Sequence, residues 1–247
     1  MRMSLFKSHY KEDVETQTNG ARLITFTEPK NVISEQLRTV RTNIEYAGAA
    51  LDKLQVVMFT SPQMSDGKST VSSNVAVTWA QAGKKVLIVD ADLRRPTVHA
   101  TFRLDNRKGL TTILASDLQP KELVHETIVP GLSAMTSGPV PPNPAELLGS
   151  PRMAALVEWM RNNYDIIVLD APPLNSVTDA QVMLPIVDGV VLVVTLNQTQ
   201  KVNATRAVEL LNLTSTKVLG VVSRVKRSDG EAGYGYGYGY GYGSTKD

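Results

Sequence analysis

The segment Phe59-Thr60-Ser61-Pro62-Gln63-Met64-Ser65-Asp66-Gly67-Lys68-Ser69-Thr70 leaves an apolar run and opens a helical one. At a strand–loop–helix junction of this kind, backbone N–H groups and the positive end of the helix converge on one point, which suits phosphate oxygens. Lys68 is then placed to bridge the β- and γ-phosphates of a nucleoside triphosphate, and the Ser69 hydroxyl to ligate Mg²⁺. Met64, Ser65, Asp66, Gly67 and Thr70 complete the candidate nucleotide-binding loop. Pro62 stands where such loops usually carry their first glycine, so the stretch alone also fits a turn that caps a helix.

Outward from this loop, short β-branched runs alternate with helical periodicity. Strands are expected over residues 55–60, 86–90, 132–135, 166–170, 190–195 and 218–222. They are continuously apolar, as strands covered on both faces are. Helices are expected over 69–82, 147–162 and 202–211, with Gly83 stopping the first. The order implies an α/β fold, a mostly parallel doubly wound sheet flanked by helices, with ligands at the carboxyl ends of the strands. Two strands end in acids at that edge. Val86-Leu87-Ile88-Val89-Asp90-Ala91-Asp92 supplies Asp90 and Asp92, and Ile166-Ile167-Val168-Leu169-Asp170 supplies Asp170. Beside a phosphate loop these carboxylates can hold Mg²⁺ and its waters.

Bulk properties narrow the class. A net charge of +2 is too small to make nucleic acid the main partner. The absence of cysteine from the 247 residues excludes disulfides and thiolate metal sites within them. His9, His99 and His125 lack metal-ligand spacing, and Trp79 and Trp159 fall on helices as core residues. No apolar run approaches the roughly 18 residues of a membrane span, so membrane association is expected through a partner.

Residues 1–30 read as a polar arm with one apolar patch, Leu23-Ile24-Thr25-Phe26. A helix follows over about 34–50, with Ser34 as N-cap and Ile33, Leu37, Val40, Ile44 and Leu51 on one face. The main domain spans 31–225. Residues 226–247 form a tail in which glycine alternates with Tyr234, Tyr236, Tyr238, Tyr240 and Tyr242, a composition that cannot bury a core and predicts disorder.

Three motifs carry a resemblance: the loop at Lys68, the run Asp90-Ala91-Asp92-Leu93-Arg94-Arg95-Pro96-Thr97-Val98-His99, and the turn Asp170-Ala171-Pro172-Pro173. Together they resemble the bacterial tyrosine kinases that regulate capsule and exopolysaccharide synthesis, in the separate cytoplasmic form found in Firmicutes. The resemblance implies a P-loop NTPase fold related to partitioning ATPases. It further implies ATP and Mg²⁺ as cofactors, with Lys68, Asp90, Asp92 and Asp170 as catalytic residues. Asp92 would support the metal or accept the tyrosine proton, and Asp170 would hold Mg²⁺ through water, which makes Ser69, Asp92 and Asp170 the implied metal set. The five tail tyrosines would be autophosphorylated between subunits. Glu35, Arg38 and Arg41 match the family's oligomerisation motif, through which it forms rings. Implied partners are a transmembrane activator that recruits the chain to the inner face of the membrane, protein-tyrosine substrates and a cognate phosphatase.

The sequence departs from the family at Met64-Ser65, where Pro-Gly is common, and at Arg224, in place of an adenine-reading asparagine. Two other readings stay open. One is a partitioning or septum-positioning ATPase switch, a class with an extra lysine early in the loop, where this chain has Gln63. The other is a nucleotide-binding adaptor without activity, against which the intact Lys68, Ser69, Asp90, Asp92 and Asp170 argue.

Overall fold

β-branched runs become strands here, and the central ones are roofed on both faces. In the computed structural model, which describes residues 16–225, the strands are β1 (Val56–Thr60), β2 (Val86–Asp90), β3 (His125–Glu126), β4 (Leu132–Met135), β5 (Ile166–Asp170), β6 (Gly189–Thr195) and β7 (Lys217–Arg224). Every residue of β1, β2 and β5 is buried. The sheet order is β3-β4-β2-β5-β1-β6-β7, parallel throughout except for β3 against β4. Because β5 inserts between β2 and β1, the ends of those three strands come together. That is the switch point at which open parallel sheets bind ligands.

The helices are α1 (Ile24–Thr27), α2 (Val32–Gly48), α3 (Lys68–Gln81), α4 (Val98–Phe102), α5 (Leu110–Ala115), α6 (Pro144–Leu148), α7 (Pro151–Asn163), α8 (Asp179–Val182) and α9 (Lys201–Asn212). Alternate residues of β1 feed two apolar layers. Val56 and Met58 pack with Met153, Leu156, Met160, Ala207 and Leu211 on the α7/α9 side. Val57 and Phe59 pack with Ile44, Val75, Trp79 and Phe102 on the other. Trp79 is fully buried, and its indole nitrogen donates to Glu45 Oε1 at 2.9 Å. Each large apolar side chain interred this way contributes about 1.5–3 kcal/mol, which offsets the cost of burying the site's acids.

Several boundaries differ from expectation, each for a local reason. α2 begins at Val32, because Asn31 is the N-cap and accepts from Ile33 N at 2.9 Å. Ser34 lies inside the helix, buried, and donates to the carbonyls of Ile24 and Glu28. The helix expected over 147–162 is two: Ser150 caps a fresh start, with Pro151 at its first position. The apolar patch of the N-terminal arm is α1, with Leu23 and Thr25 buried, so residues 21–27 belong to the folded unit. Gly83 does stop α3, at φ +82°. The strand expected over 218–222 runs to Arg224, which brings that side chain to the site edge.

The Glu35-Arg38-Arg41 series does not lie free along the outside of α2. Arg38 pairs with Glu35 at 2.5 Å and donates to the Pro29 carbonyl. Arg41 donates to the Thr78 carbonyl at 2.9 Å, tying α2 to α3. The tail tyrosines lie outside the described residues. No helix among the described residues is long and apolar enough to cross a membrane.

Candidate active site

The phosphate loop is shaped by two left-handed residues, Ser65 at φ +65° and Gly67 at φ +79°. Glycine takes that conformation at little cost, whereas serine there stores strain that its surroundings must hold. Those surroundings come from the β6–α9 connection. Thr195 Oγ1 donates to the Asp66 carbonyl at 3.1 Å, and Thr199 Oγ1 donates to Asp66 Oδ1 at 2.7 Å. Gln198 Nε2 donates to the Ser65 carbonyl at 3.1 Å. Gln63, at the start of the loop, accepts from Asn203 Nδ2 and the Gln200 amide.

Met64, Ser65, Gly67, Lys68, Ser69 and Thr70 line a cleft of about 450 Å³. Asp66 is 1% exposed, and its carboxylate is bonded away from that cleft as a brace for the loop. Burial pushes this carboxyl up to about 6, against the lowering effect of Thr199. Thr195, Gln198 and Thr199 were not foreseen from sequence; the one hint was an acid inside the loop, which needs donors when buried.

Register sets the acids. Asp170 on β5 lies opposite Asp90 on β2 and opposite Phe59 on β1, one residue before the loop's strand ends. Lys68, opening α3 from that loop, reaches back over the edge. Its Nζ lies 2.9 Å from Asp92 Oδ2, 3.8 Å from Asp170 Oδ2 and 3.2 Å from Ser69 Oγ. Burial alone would lower the Lys68 pKa, but the fields of Asp170 and Asp92 outweigh it and hold the ammonium well above its usual value. Burial raises Asp170 as well. Asp90 is fully buried and is pushed up to about 8 by desolvation and by Asp170. Its oxygens accept from the amides of Thr97, Val98 and Asp92, so it braces the Asp92 loop and α4 rather than facing the cleft. Asp92 does line the cleft.

Asp170 Oδ2 is buried and takes no hydrogen bond, while Oδ1 accepts from Ser72 Oγ at 3.2 Å. An unsatisfied buried carboxylate oxygen beside the Ser69 hydroxyl and Asp92 is a hard-oxygen donor set, which fits Mg²⁺. Among the described residues no three histidines or acids converge as a protein-only metal cage. Three arginines, Arg94, Arg95 and Arg224, also line the cleft. Arg94 is held bidentate by Asp179, a fully buried acid at the start of α8. The strip from Thr16 to Arg22 forms another wall. Asn74 on α3 anchors it, bonding the Arg22 carbonyl and both the amide and hydroxyl of Thr25.

Comparison with known proteins places this arrangement. The family described as "ParA: NUBPL iron-transfer P-loop NTPase" matches residues 54–231. The tyrosine-protein kinase YwqD of Bacillus subtilis (strain 168) is 44% identical over 88% of this chain and 93% of its own. The putative tyrosine-protein kinase CapB of Staphylococcus aureus is 41% identical over 83% of this chain and 90% of its own. Among solved structures, the chimerical protein CapA2B2 is 39% identical, with a TM-score of 0.78 over 86% of this chain and 97% of that one. The kinase domain of the Escherichia coli tyrosine kinase ETK gives 31% and 0.79, over 87% and 85%. The septum site-determining protein MinD of Pyrococcus horikoshii, complexed with Mg-ADP, is 20% identical with a TM-score of 0.59 over 68% and 69%, a likeness of fold.

Proposed function

Because the chain belongs to the bacterial tyrosine-protein kinases, built on a ParA-type P-loop domain, we propose that it transfers the γ-phosphate of ATP to tyrosine hydroxyls. The acceptors we assign first are Tyr234, Tyr236, Tyr238, Tyr240 and Tyr242 of a neighbouring copy's tail. The observation that carries this reading is the placement of Lys68 Nζ between Asp92 and Asp170 at the foot of a loop built for phosphates.

Phosphoryl transfer needs in-line positioning and charge neutralisation more than covalent help. Lys68 and the amides at the start of α3 hold the phosphates. Ser69 and Asp170 would hold Mg²⁺, which when bound neutralises charge on the phosphate oxygens. The tyrosine oxygen bonds to the γ-phosphorus as the bond to the β–γ bridging oxygen breaks, and ADP leaves. The phenolic proton passes to Asp92, the acid that lines the cleft, while Asp90 keeps the Asp92 loop in place. Adjacent phosphotyrosines add charge of one sign and favour separation of subunits.

The wider setting we propose is regulation of capsular or exopolysaccharide synthesis, with ATP and Mg²⁺ as cofactors. A transmembrane activator recruits the chain to the inner face of the membrane, and a cognate phosphatase resets it. Copies assemble into a ring through α2, whose Val32 and Ile33 are exposed beside Glu35. The ATPase-switch alternative is weakened at Gln63, whose side chain is bonded into its own α9. The test is incubation with ATP, Mg²⁺ and the activator's cytoplasmic segment, read by intact mass. Phosphate should accumulate on the wild type and be absent when all five tail tyrosines are phenylalanine, with ATP turnover retained. ATP turnover with no phosphotyrosine on any protein would refute the kinase reading.

A further inference from the structure

Lys68 is the cation that the loop motif supplies for the triphosphate, yet it sits bracketed by two carboxylates at 2.9 and 3.8 Å. One cation between two acids offers little net attraction to a highly charged anion. A second cation stands on the other side of the loop. Arg224, the last residue of β7, packs its guanidinium flush on Gly67: a Cβ built on that glycine would lie 1.5 Å from Arg224 Nη1. The same side chain lines the cleft with Lys68, Ser69 and Thr70. Its positive field also lowers the Asp66 carboxyl against the effect of burial. The carrier is rigid, since Arg224 pairs in register with Thr195 of β6 and its carbonyl accepts from Leu196 N at 2.8 Å.

We infer that Arg224 is a phosphate-binding arginine of the nucleotide site, acting with Lys68 from the opposite side of the loop. The inference rests on the nucleotide-binding part of the proposed function. A guanidinium offers five donors in a planar fork and no acceptor, which matches a phosphate, an acceptor-only group. It cannot serve the exocyclic amino group of adenine, which requires an acceptor. Its position against Gly67, the residue before Lys68, sets it at the phosphate end of the cleft rather than out where a base would lie.

The test uses the full chain and titrates fluorescent, non-hydrolysable ATP and GTP analogues with Mg²⁺ into wild type, Arg224→Gln and Arg224→Lys. Gln keeps much of the side chain's length and polarity, and Lys keeps the charge; melting curves show that each variant folds. Arg224→Gln should weaken both nucleotides by about tenfold, the worth of a charge-assisted hydrogen bond, with their ratio unchanged. Arg224→Lys should recover part of that loss. Affinities equal to wild type in both variants would overturn the inference. A shift in the ATP-to-GTP ratio without a common loss would overturn it too, by making Arg224 a base reader. Binding is read without phosphotransfer, so a wild type that binds nucleotide through Arg224 but never phosphorylates tyrosine would sink the kinase reading and leave this one standing.

Discussion

Asp90 and Asp170 are register partners on adjacent strands, β2 and β5, and both are fully buried at the sheet's carboxyl edge. Burial raises the proton affinity of both, and the field of Asp170 raises that of Asp90 further. The fold carries that cost because the same edge receives Lys68. Asp170→Asn should therefore reduce phosphotransfer at least about 100-fold, as loss of a preorganised charged group does. The melting temperature should hold or rise, since an amide has no charge to desolvate. Paired activity and melting measurements check this; a large fall in stability would mean Asp170 is structural.

Thr199 is the neighbour that fixes the phosphate loop through Asp66. Thr199→Val keeps the shape and removes the donor, leaving a buried acceptor short of one bond at a cost of about 1–3 kcal/mol. The expected outcome is a KM for ATP raised about five- to tenfold with a smaller change in kcat. Equal loss in kcat and kcat/KM would place Thr199 in the transition state instead.

Asp188 holds the opposite end of the sheet. Its carboxylate accepts from the Gln55 and Val56 amides at 2.8 and 2.7 Å and from both terminal nitrogens of Arg161 at 2.9 and 2.6 Å. Burial would raise its pKa, but the Arg161 guanidinium and those amides hold it below the usual carboxylate range. An acid lowered on folding contributes stability above its unfolded pKa and loses it as pH falls through the folded value. The acid limb below about pH 4 should thus flatten in Asp188→Asn, which also costs about 2–4 kcal/mol at pH 7. Urea unfolding across pH 2.5–7 reads both.

Asn74 pins the strip at residues 22–25 to α3 through three side-chain hydrogen bonds, while its amide also donates to the Thr70 carbonyl within α3. Asn74→Ala should cost about 1–3 kcal/mol and strip hydrogen-exchange protection first from residues 20–27. Protection lost evenly across the chain would show that the strip is not a separate unit.

What was legible in the sequence was what burial and turn chemistry write locally. Residues 86–90 and 166–170 are apolar runs ending in acids, and both are strands with the ends expected. The loop at Lys68 is legible because glycine, lysine and serine follow an apolar strand and open a helix, with acids ending two neighbouring strands. What was not legible depends on partners distant in the chain. The bracing of Asp66 comes from Thr195 and Thr199, polar residues in a connection whose pattern says nothing of what lies beside it. Arg41, part of the expected oligomerisation motif, reaches the Thr78 carbonyl because α2 packs directly on α3, a neighbour that the motif does not announce. Leu23 and Thr25 read as a patch on a polar arm, since nothing nearby in sequence reveals that Asn74 would satisfy the backbone there.

The central claim is that Lys68, set between Asp92 and Asp170, serves transfer of phosphate from ATP to tail tyrosines. Intact-mass analysis of wild type and Lys68→Met, each incubated with ATP, Mg²⁺ and the activator's cytoplasmic segment, tests it most directly. The account predicts up to five added phosphates confined to residues 234–242 in the wild type, and none in Lys68→Met. Equal phosphate on both proteins, or none on the wild-type tail, would contradict it.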